Sequence, residues 1–449
     1  MKHSVRIFLF VLIIGSSLSA QQSLLRSGPM VGYGQMTEVM LWVQTAKPAS
    51  VQYRYWYSDA PDVKWTSRAS KTAEEGSNIT KTLIDGLKPG KKFEYELLLD
   101  GKPVKRPYPL RFQTQPYWQY RTDPPAFSVA FGSCAFINEA EADRPGKPYG
   151  SDYGIFTTIA KTNPDLFIWT GDNTYLRDPD YFSRAGIIRR YAHTREIPEM
   201  QALLGAVHNY ATWDDHDYGS NDADRTYPMK EFSLETFKMF WANQHYGADD
   251  VKGVFSRFIW GDAEFFLLDD RYHRSPNDAP NDDRKTMFGK DQLQWLKDCL
   301  SSSSAPFKFI VNGNQVLNAN GEYYEAMPQF TREYEELVAY IKQNKVAGVI
   351  FLTGDRHHTE LVVHHDSTFY PLYDFTSSAL TSGMNYPLSP KEQKNPSRVE
   401  GTLVNDQHNF GMLRFSGTRT DRVLTMECYD LPGTLRWSKT VKANDLTVK

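Results

Sequence analysis

Two stretches decide how this sequence reads: Leu166-Phe-Ile-Trp-Thr-Gly-Asp-Asn-Thr-Tyr175 and Tyr210-Ala-Thr-Trp-Asp-Asp-His-Asp217. Each opens with a short apolar run and passes at once into polar residues that can bind ions or move protons. The pattern recurs outward from them. Phe127-Ser-Val-Ala-Phe131 runs into Gly132-Ser-Cys134, and Phe265-Phe-Leu-Leu268 into Asp269-Asp-Arg271. Phe309-Ile-Val311 runs into Asn312-Gly-Asn-Gln315, and Val349-Ile-Phe-Leu352 into Thr353-Gly-Asp-Arg-His-His358. Apolar runs this short, bounded by Gly and Asp, read as buried strands. Helical stretches at 291–300 and 331–342 separate some of them, which indicates an α/β domain. In open α/β sheets ligands gather at the carboxyl ends of the strands. If these strands share a sheet, Asp, His, Tyr and Cys side chains from distant parts of the sequence converge at one place.

The flanking sequence has a different texture. Between residues 22 and 120 short runs such as Val51-Gln-Tyr-Arg-Tyr-Trp56 and Phe93-Glu-Tyr-Glu-Leu-Leu98 are separated by turn signals, among them Leu87-Lys-Pro-Gly90 and Asp100-Gly101. Such spacing suggests a small β-sandwich like a fibronectin type III module. Residues 121–125 read as a linker, and 125–449 as the main domain, whose tail returns to strands at Met412–Phe415 and Val423–Met426. The start has Lys2, His3 and Arg6, an apolar run from Ile7 to Ile14, and small residues up to Ala20. That is a signal-peptide pattern over 1–20, predicting a secreted or periplasmic protein. The run falls short of the roughly 20 apolar residues of a membrane span, and no other segment qualifies. The formal net charge of −3 argues against nucleic acid or an anionic membrane as the main partner. Cys134, Cys299 and Cys428 leave two arrangements open: one bridge with a free thiol, or three free thiols.

A single Asp at a strand end is commonly a helix cap. Four acidic strand ends, two with an adjacent His, are hard to explain as caps, because converging carboxylates repel unless something positive binds them. Carboxylates suit hard ions such as Ca²⁺, whereas thiolate and phenolate suit a transition metal such as iron. Two metals a few ångströms apart can hold the attacking and leaving oxygens of a phosphoryl transfer. Other residues read as structural. His193 and Arg195 lie on an expected helix, His364 and His365 on a strand, and Cys299 beside Leu296 and Leu300.

Phe131-Gly-Ser-Cys134, Gly171-Asp-Asn-Thr-Tyr175, Trp213-Asp-Asp-His-Asp217, Leu268-Asp-Asp-Arg271 and Thr353-Gly-Asp-Arg-His357 together resemble the alkaline phosphatase D (PhoD-like) metallophosphatases, relatives of the purple acid phosphatases. The resemblance covers roughly residues 125–380, and the β-rich region before them resembles the family's N-terminal domain. It implies a metallophosphoesterase-type sheet sandwich with helices. Asp172 falls where a carboxylate bridges two metals. Cys134, Tyr175 and His357 fall on the expected ligands of Fe³⁺. Asp215 and Asp355 replace an Asn and a His, and the change to anionic oxygens favours one or two Ca²⁺ ions at the second site. A His usual in the superfamily is missing from Asn312–Gln315. Asn314 or Gln315 offers an oxygen there, or the ligand comes from elsewhere.

The reading that follows is a secreted, metal-dependent phosphoesterase acting on phosphate monoesters or diesters. His216 is placed to protonate the leaving oxygen, and Asp217 to orient or tune that His. Arg271 either binds substrate phosphate or pairs with Asp269. Two rivals use fewer of these residues. A cysteine hydrolase needs only Cys134 and a His. A secreted calcium-dependent binding protein with structural metals leaves Tyr175, His216 and Cys134 without a role.

Overall fold

A computed structural model describes residues 24–248, 250–321, 325–384 and 388–448. The signal-peptide expectation over 1–20 lies outside the described residues. The chain divides into two units. One holds the residues up to Tyr117 together with Arg195–His208, and the other holds Trp118–Thr194 and Asn209–Lys449.

The first unit is strand-rich, as the alternating runs require. Strands β1 (Leu25–Gly34), β2 (Val39–Thr45) and β6 (Ile79–Ile84) pair antiparallel. Strands β3 (Ser50–Tyr57), β4 (Ala60–Thr66), β7 (Lys92–Leu99) and β8 (Lys102–Val104) form a second sheet, with β5 (Ser70–Lys71) and β9 (Arg111–Gln113) at its sides. One core joins the two, with Val31, Leu41, Val43, Val51, Tyr53, Tyr95 and Leu97 buried in it. The helix Pro198–Ala206 belongs to this unit, where Gly205 accepts a 2.9 Å hydrogen bond from the Tyr95 hydroxyl.

The second unit distributes the six motif strands over two sheets rather than one. In the first sheet β10 (Phe127–Gly132) lies parallel to β11 (Leu166–Thr170), with β12 (His208–Thr212) beside β11. The second sheet has the order β13 (Ser256–Trp260), β14 (Ala263–Leu267), β15 (Phe307–Val311), β16 (Val349–Thr353), β18 (Leu372–Ser377), β17 (Thr359–His364). Strands β14, β15, β16 and β18 run parallel, which fits their continuous apolar sequences, buried on both faces. The tail supplies β19 (Asn409–Ser416), β20 (Val423–Asp430) and β21 (Leu435–Lys442), which extend the first sheet antiparallel from β10. The expected helices are Lys290–Ser302 and Thr331–Gln343. All three cysteines are free and buried. Among the described residues no helix is long and apolar enough to cross a membrane.

Aromatic side chains fill the space between these sheets. Tyr210 on β12 stacks on Phe258 at 3.7 Å between ring centroids, Phe258 on Phe265 at 4.8 Å, and Phe265 on Phe309 at 4.9 Å. Phe415 on β19 meets Phe309 edge-on at 5.7 Å. The ladder packs β12 and β19 of the first sheet against β13, β14 and β15 of the second. Phe265→Ala should therefore destabilise this unit by about 3–5 kcal/mol, the usual cost of emptying a buried phenylalanine site. Urea unfolding of the two proteins measures the difference.

Candidate active site

Three of the motif strands, β10, β11 and β16, run into turns with left-handed residues. Cys134, Asp172, Asp355 and His357 all adopt left-handed backbone conformations, with φ of 61°, 52°, 70° and 54°. Non-glycine residues hold such angles only where the surrounding structure imposes them, and they cluster at functional sites. The turns pack closely. A Cβ on Gly313 would stand 2.6 Å from Cγ of Asp214 and 2.7 Å from Oδ2 of Asp270, so this turn after β15 requires glycine.

The strand ends converge on Asp172. Its Oδ2 accepts from the Tyr175 hydroxyl at 3.0 Å and lies 3.5 Å from the Cys134 sulfur. The Tyr175 hydroxyl is 3.4 Å from Nε2 of His357, whose Nδ1 meets Tyr149 at 3.1 Å. Thiol, phenol, imidazole and carboxylate thus surround one point. Further sets of donor atoms, each within 4.8 Å of one another, adjoin it: Asp172 with Asp215 and His216, Asp172 with Asp214 and Asp355, and Asp215 with Asp222 and Glu325.

These groups could hold cations, and the electrostatics show why. Burial pushes Asp172 well above the usual carboxylate range, and Asp215, Asp217 and Asp355 push it further. Asp355 is pushed up to about 8 by burial, Glu325 and Asp215. Burial, then Asp172, likewise raises the Cys134 thiol and the Tyr175 phenol. Asp215 departs from this trend. Burial opposes its ionisation, but His216, Arg271 and the Asp222 N–H bring it below its ordinary value. A buried cluster that cannot ionise together without positive charge, built from hard oxygens beside a thiol and a phenol, fits metal ions.

Several sequence expectations change here. Asp217 does not orient the His216 ring. Its Oδ2 accepts the backbone N–H groups of Asn173 and Asp214, both at 3.1 Å, and so secures the turn itself. The His216 ring instead stacks on Tyr175 at 4.2 Å, and its buried Nδ1 has no hydrogen-bond partner among the described residues. Burial lowers the His216 pKa, while Asp215 acts to raise it. Asp269 receives the Arg271 backbone N–H rather than the guanidinium. That guanidinium is wholly buried, with Asp214 at 2.6 Å from Nε and Glu325 at 2.7 Å from Nη1. Asn314 is turned to the same network: its Oδ1 accepts from Arg274 at 2.9 Å and its Nδ2 donates to Asp214 at 3.1 Å. The side-chain oxygen assigned to a metal is thus occupied by an arginine. Gln315 bonds Glu360 and Thr376.

Four residues of the site were given no role in the sequence reading. Asp214 stood in the motif beside Asp215, so a signal existed. Asp222, Glu325 and Tyr149 lie in stretches without periodicity or motif. Gly313→Ala should push Asp214 and Asp270 apart and destabilise the unit by about 1–3 kcal/mol, the range for overpacking, as measured by thermal unfolding.

The geometry agrees with the comparisons to known proteins. A family model described as PhoD-like phosphatase matches residues 130–423, and one described as a domain of unknown function (DUF7800) matches residues 22–117. Alkaline phosphatase D of Bacillus subtilis (strain 168) is 25% identical over 410 residues, covering 77% of this chain and 67% of that protein. The structure of PhoD superposes with a TM-score of 0.74 at 18% identity, covering 94% of this chain and 92% of that one. A purple acid phosphatase from yellow lupin (Lupinus luteus) seeds superposes with a TM-score of 0.64 at 13% identity, covering 94% and 76%. The two solved structures share the fold of this chain.

Proposed function

The chain belongs to the PhoD-like phosphatase family, and from that premise we propose that it is an exported, metal-dependent phosphoesterase hydrolysing phosphate monoesters or diesters. The observation that supports this most directly is the convergence of Cys134, Asp172, Tyr175 and His357 on one point, with Asp214, Asp215 and Asp355 adjoining through Asp172. In our reading the first four hold Fe³⁺. Asp172, Asp215 and Asp355, with Asp214 beside them, hold one or two Ca²⁺ ions. Bound cations of this kind stabilise phosphoryl charge and make water more acidic. Export is supported by the basic, apolar and small residues that succeed one another up to Ala20.

The chain's own residues do the rest. The left-handed turns fix the donor atoms before any ligand arrives, so little reorganisation is needed on binding. Asp217 keeps the Asp214–Tyr218 turn closed and thereby holds His216 in place. We assign His216 to donate a proton to the leaving oxygen, from a ring held by its stack on Tyr175. A second role has an observation of its own, since His216 also lies within ligand distance of Asp172 and Asp215.

The two roles separate on leaving-group dependence. General acid catalysis contributes on the order of a hundredfold to ten-thousandfold. A nitrophenolate leaves with little need of a proton, whereas an alkoxide needs one badly. His216→Asn should therefore slow hydrolysis of alkyl phosphates far more than of p-nitrophenyl phosphate, with metal content per chain unchanged. Equal losses on both esters, or loss of metal, contradict the acid role. No hydrolysis of either ester by the metal-loaded wild-type protein contradicts the proposed function.

The iron assignment has its own readout. Phenolate and thiolate bound to Fe³⁺ give a visible charge-transfer band. Tyr175→Phe should shift or bleach that band in the purified protein, and a colourless, fully active, iron-free preparation contradicts the assignment.

A further inference from the structure

Arg271 and Arg274 are both fully buried, and one carboxylate bridges them. Oε1 of Glu325 lies 2.7 Å from Nη1 of Arg271 and 2.8 Å from Nη2 of Arg274. The other carboxylates around Arg271 are tied down by further groups. Asp214 accepts from Asn314 Nδ2 at 3.1 Å, and Asp270 from the Asn314 backbone N–H at 3.0 Å. Asp215 accepts from the N–H groups of His216 at 2.9 Å and Asp222 at 2.7 Å. Glu325 differs. Besides the arginines it bonds the Asp222 side chain and accepts from Asn277 Nδ2 at 3.3 Å, and no backbone N–H among the described residues donates to it.

Exposure points the same way. The side chains of Asp214, Asp215 and Asp270 are 1%, 4% and 0% exposed, and that of Glu325 is 11% exposed. Glu325 also lies within ligand distance of Asp215 and Asp222, so it is the carboxylate with both a reason and a route to leave. Its backbone need not move. Ala326 pairs with Gln315, and the Met327 N–H bonds the Gln315 carbonyl at 2.9 Å.

Two guanidinium groups sharing one anionic oxygen form the arrangement that proteins use for phosphate as readily as for carboxylate. We infer that Glu325 is an internal stand-in for phosphate: it fills the anion seat of Arg271 and Arg274 in the resting protein and swings toward solvent when an ester or inorganic phosphate takes its place. The inference rests on the phosphoesterase reading above. It gives Arg271 a contact with substrate that its resting geometry does not provide. It also keeps two buried cations paired between turnovers, when leaving them bare would be costly.

An anion that must displace an internal competitor binds more weakly by the fraction of molecules in which the seat is free. The test is calorimetric titration of inorganic phosphate into the metal-loaded wild-type protein, E325Q and E325A, with metal content per chain determined on the same samples. Both variants should bind phosphate on the order of tenfold more tightly at unchanged metal content, and phosphate should raise their melting temperatures more than it raises that of the wild type. Where the alanine variant does not fold, the isosteric glutamine variant decides alone. Unchanged or weaker phosphate binding at full metal content overturns the inference. Loss of metal from the variants also overturns it, because Glu325 is then a ligand. If the wild type hydrolyses esters while all three proteins bind phosphate equally, this inference falls and the proposed function stands. If the wild type neither hydrolyses esters nor binds phosphate, both fall.

Discussion

Asp172 is a buried carboxylate within ligand distance of a thiol, two imidazoles and three further carboxylates, and the rest of the second unit is arranged around the cost of keeping it there. In a medium less polarisable than water, neighbouring negative charges repel by several kcal/mol per pair. The protein meets part of that cost with Arg271, which pairs with Asp214 and lies near Asp215 and Asp270. On the Cys134 and His357 side the described residues show no such cation paired with Asp172. There the donor set itself calls for a positive ion.

That electrostatic demand explains the backbone. A left-handed conformation costs energy at a residue with a side chain, and here four such residues, Cys134, Asp172, Asp355 and His357, fall in three turns. The strands leading into them, β10, β11 and β16, lie beside β19, β12 and β15, which carry aromatic side chains of the interior. Tyr210, Phe258, Phe265, Phe309 and Phe415 tie strands of both sheets together behind the site. Close packing transmits this constraint to the turns, which is why Gly313 has no room for a methyl group beside Asp214. The strain stays local, while the packing that sustains it spans the unit.

Strands, helices and the inward-pointing motif residues were legible in the sequence because each is a local signal: an apolar run, a turn, then a polar residue. The resemblance implied a sheet sandwich, but which sheet each motif strand joins was not legible in its residues, since a short run buried on both faces looks the same in either sheet. Within Trp213–Asp217 the sequence pointed to the segment but not to the contacts of each carboxylate. Asp214 takes the arginine and Asp217 takes the turn's N–H groups, a difference set by a few ångströms. Asn314 was expected to offer an oxygen to a metal, and its side chain serves Arg274 and Asp214. Glu325 was beyond reach of the sequence. It arrives through the pairing of Ala326 with Gln315, a long-range contact in a stretch without periodicity.

The central claim is that this carboxylate cluster works only when cations compensate it. The most direct measurement is the metal content of the purified protein taken together with its rate of phosphate-ester hydrolysis, before and after thorough chelation and after Ca²⁺ is returned. The account predicts bound iron and calcium in the active protein, loss of hydrolysis as calcium is withdrawn, and recovery when it is restored. Undiminished hydrolysis by protein shown to be free of metal would contradict it.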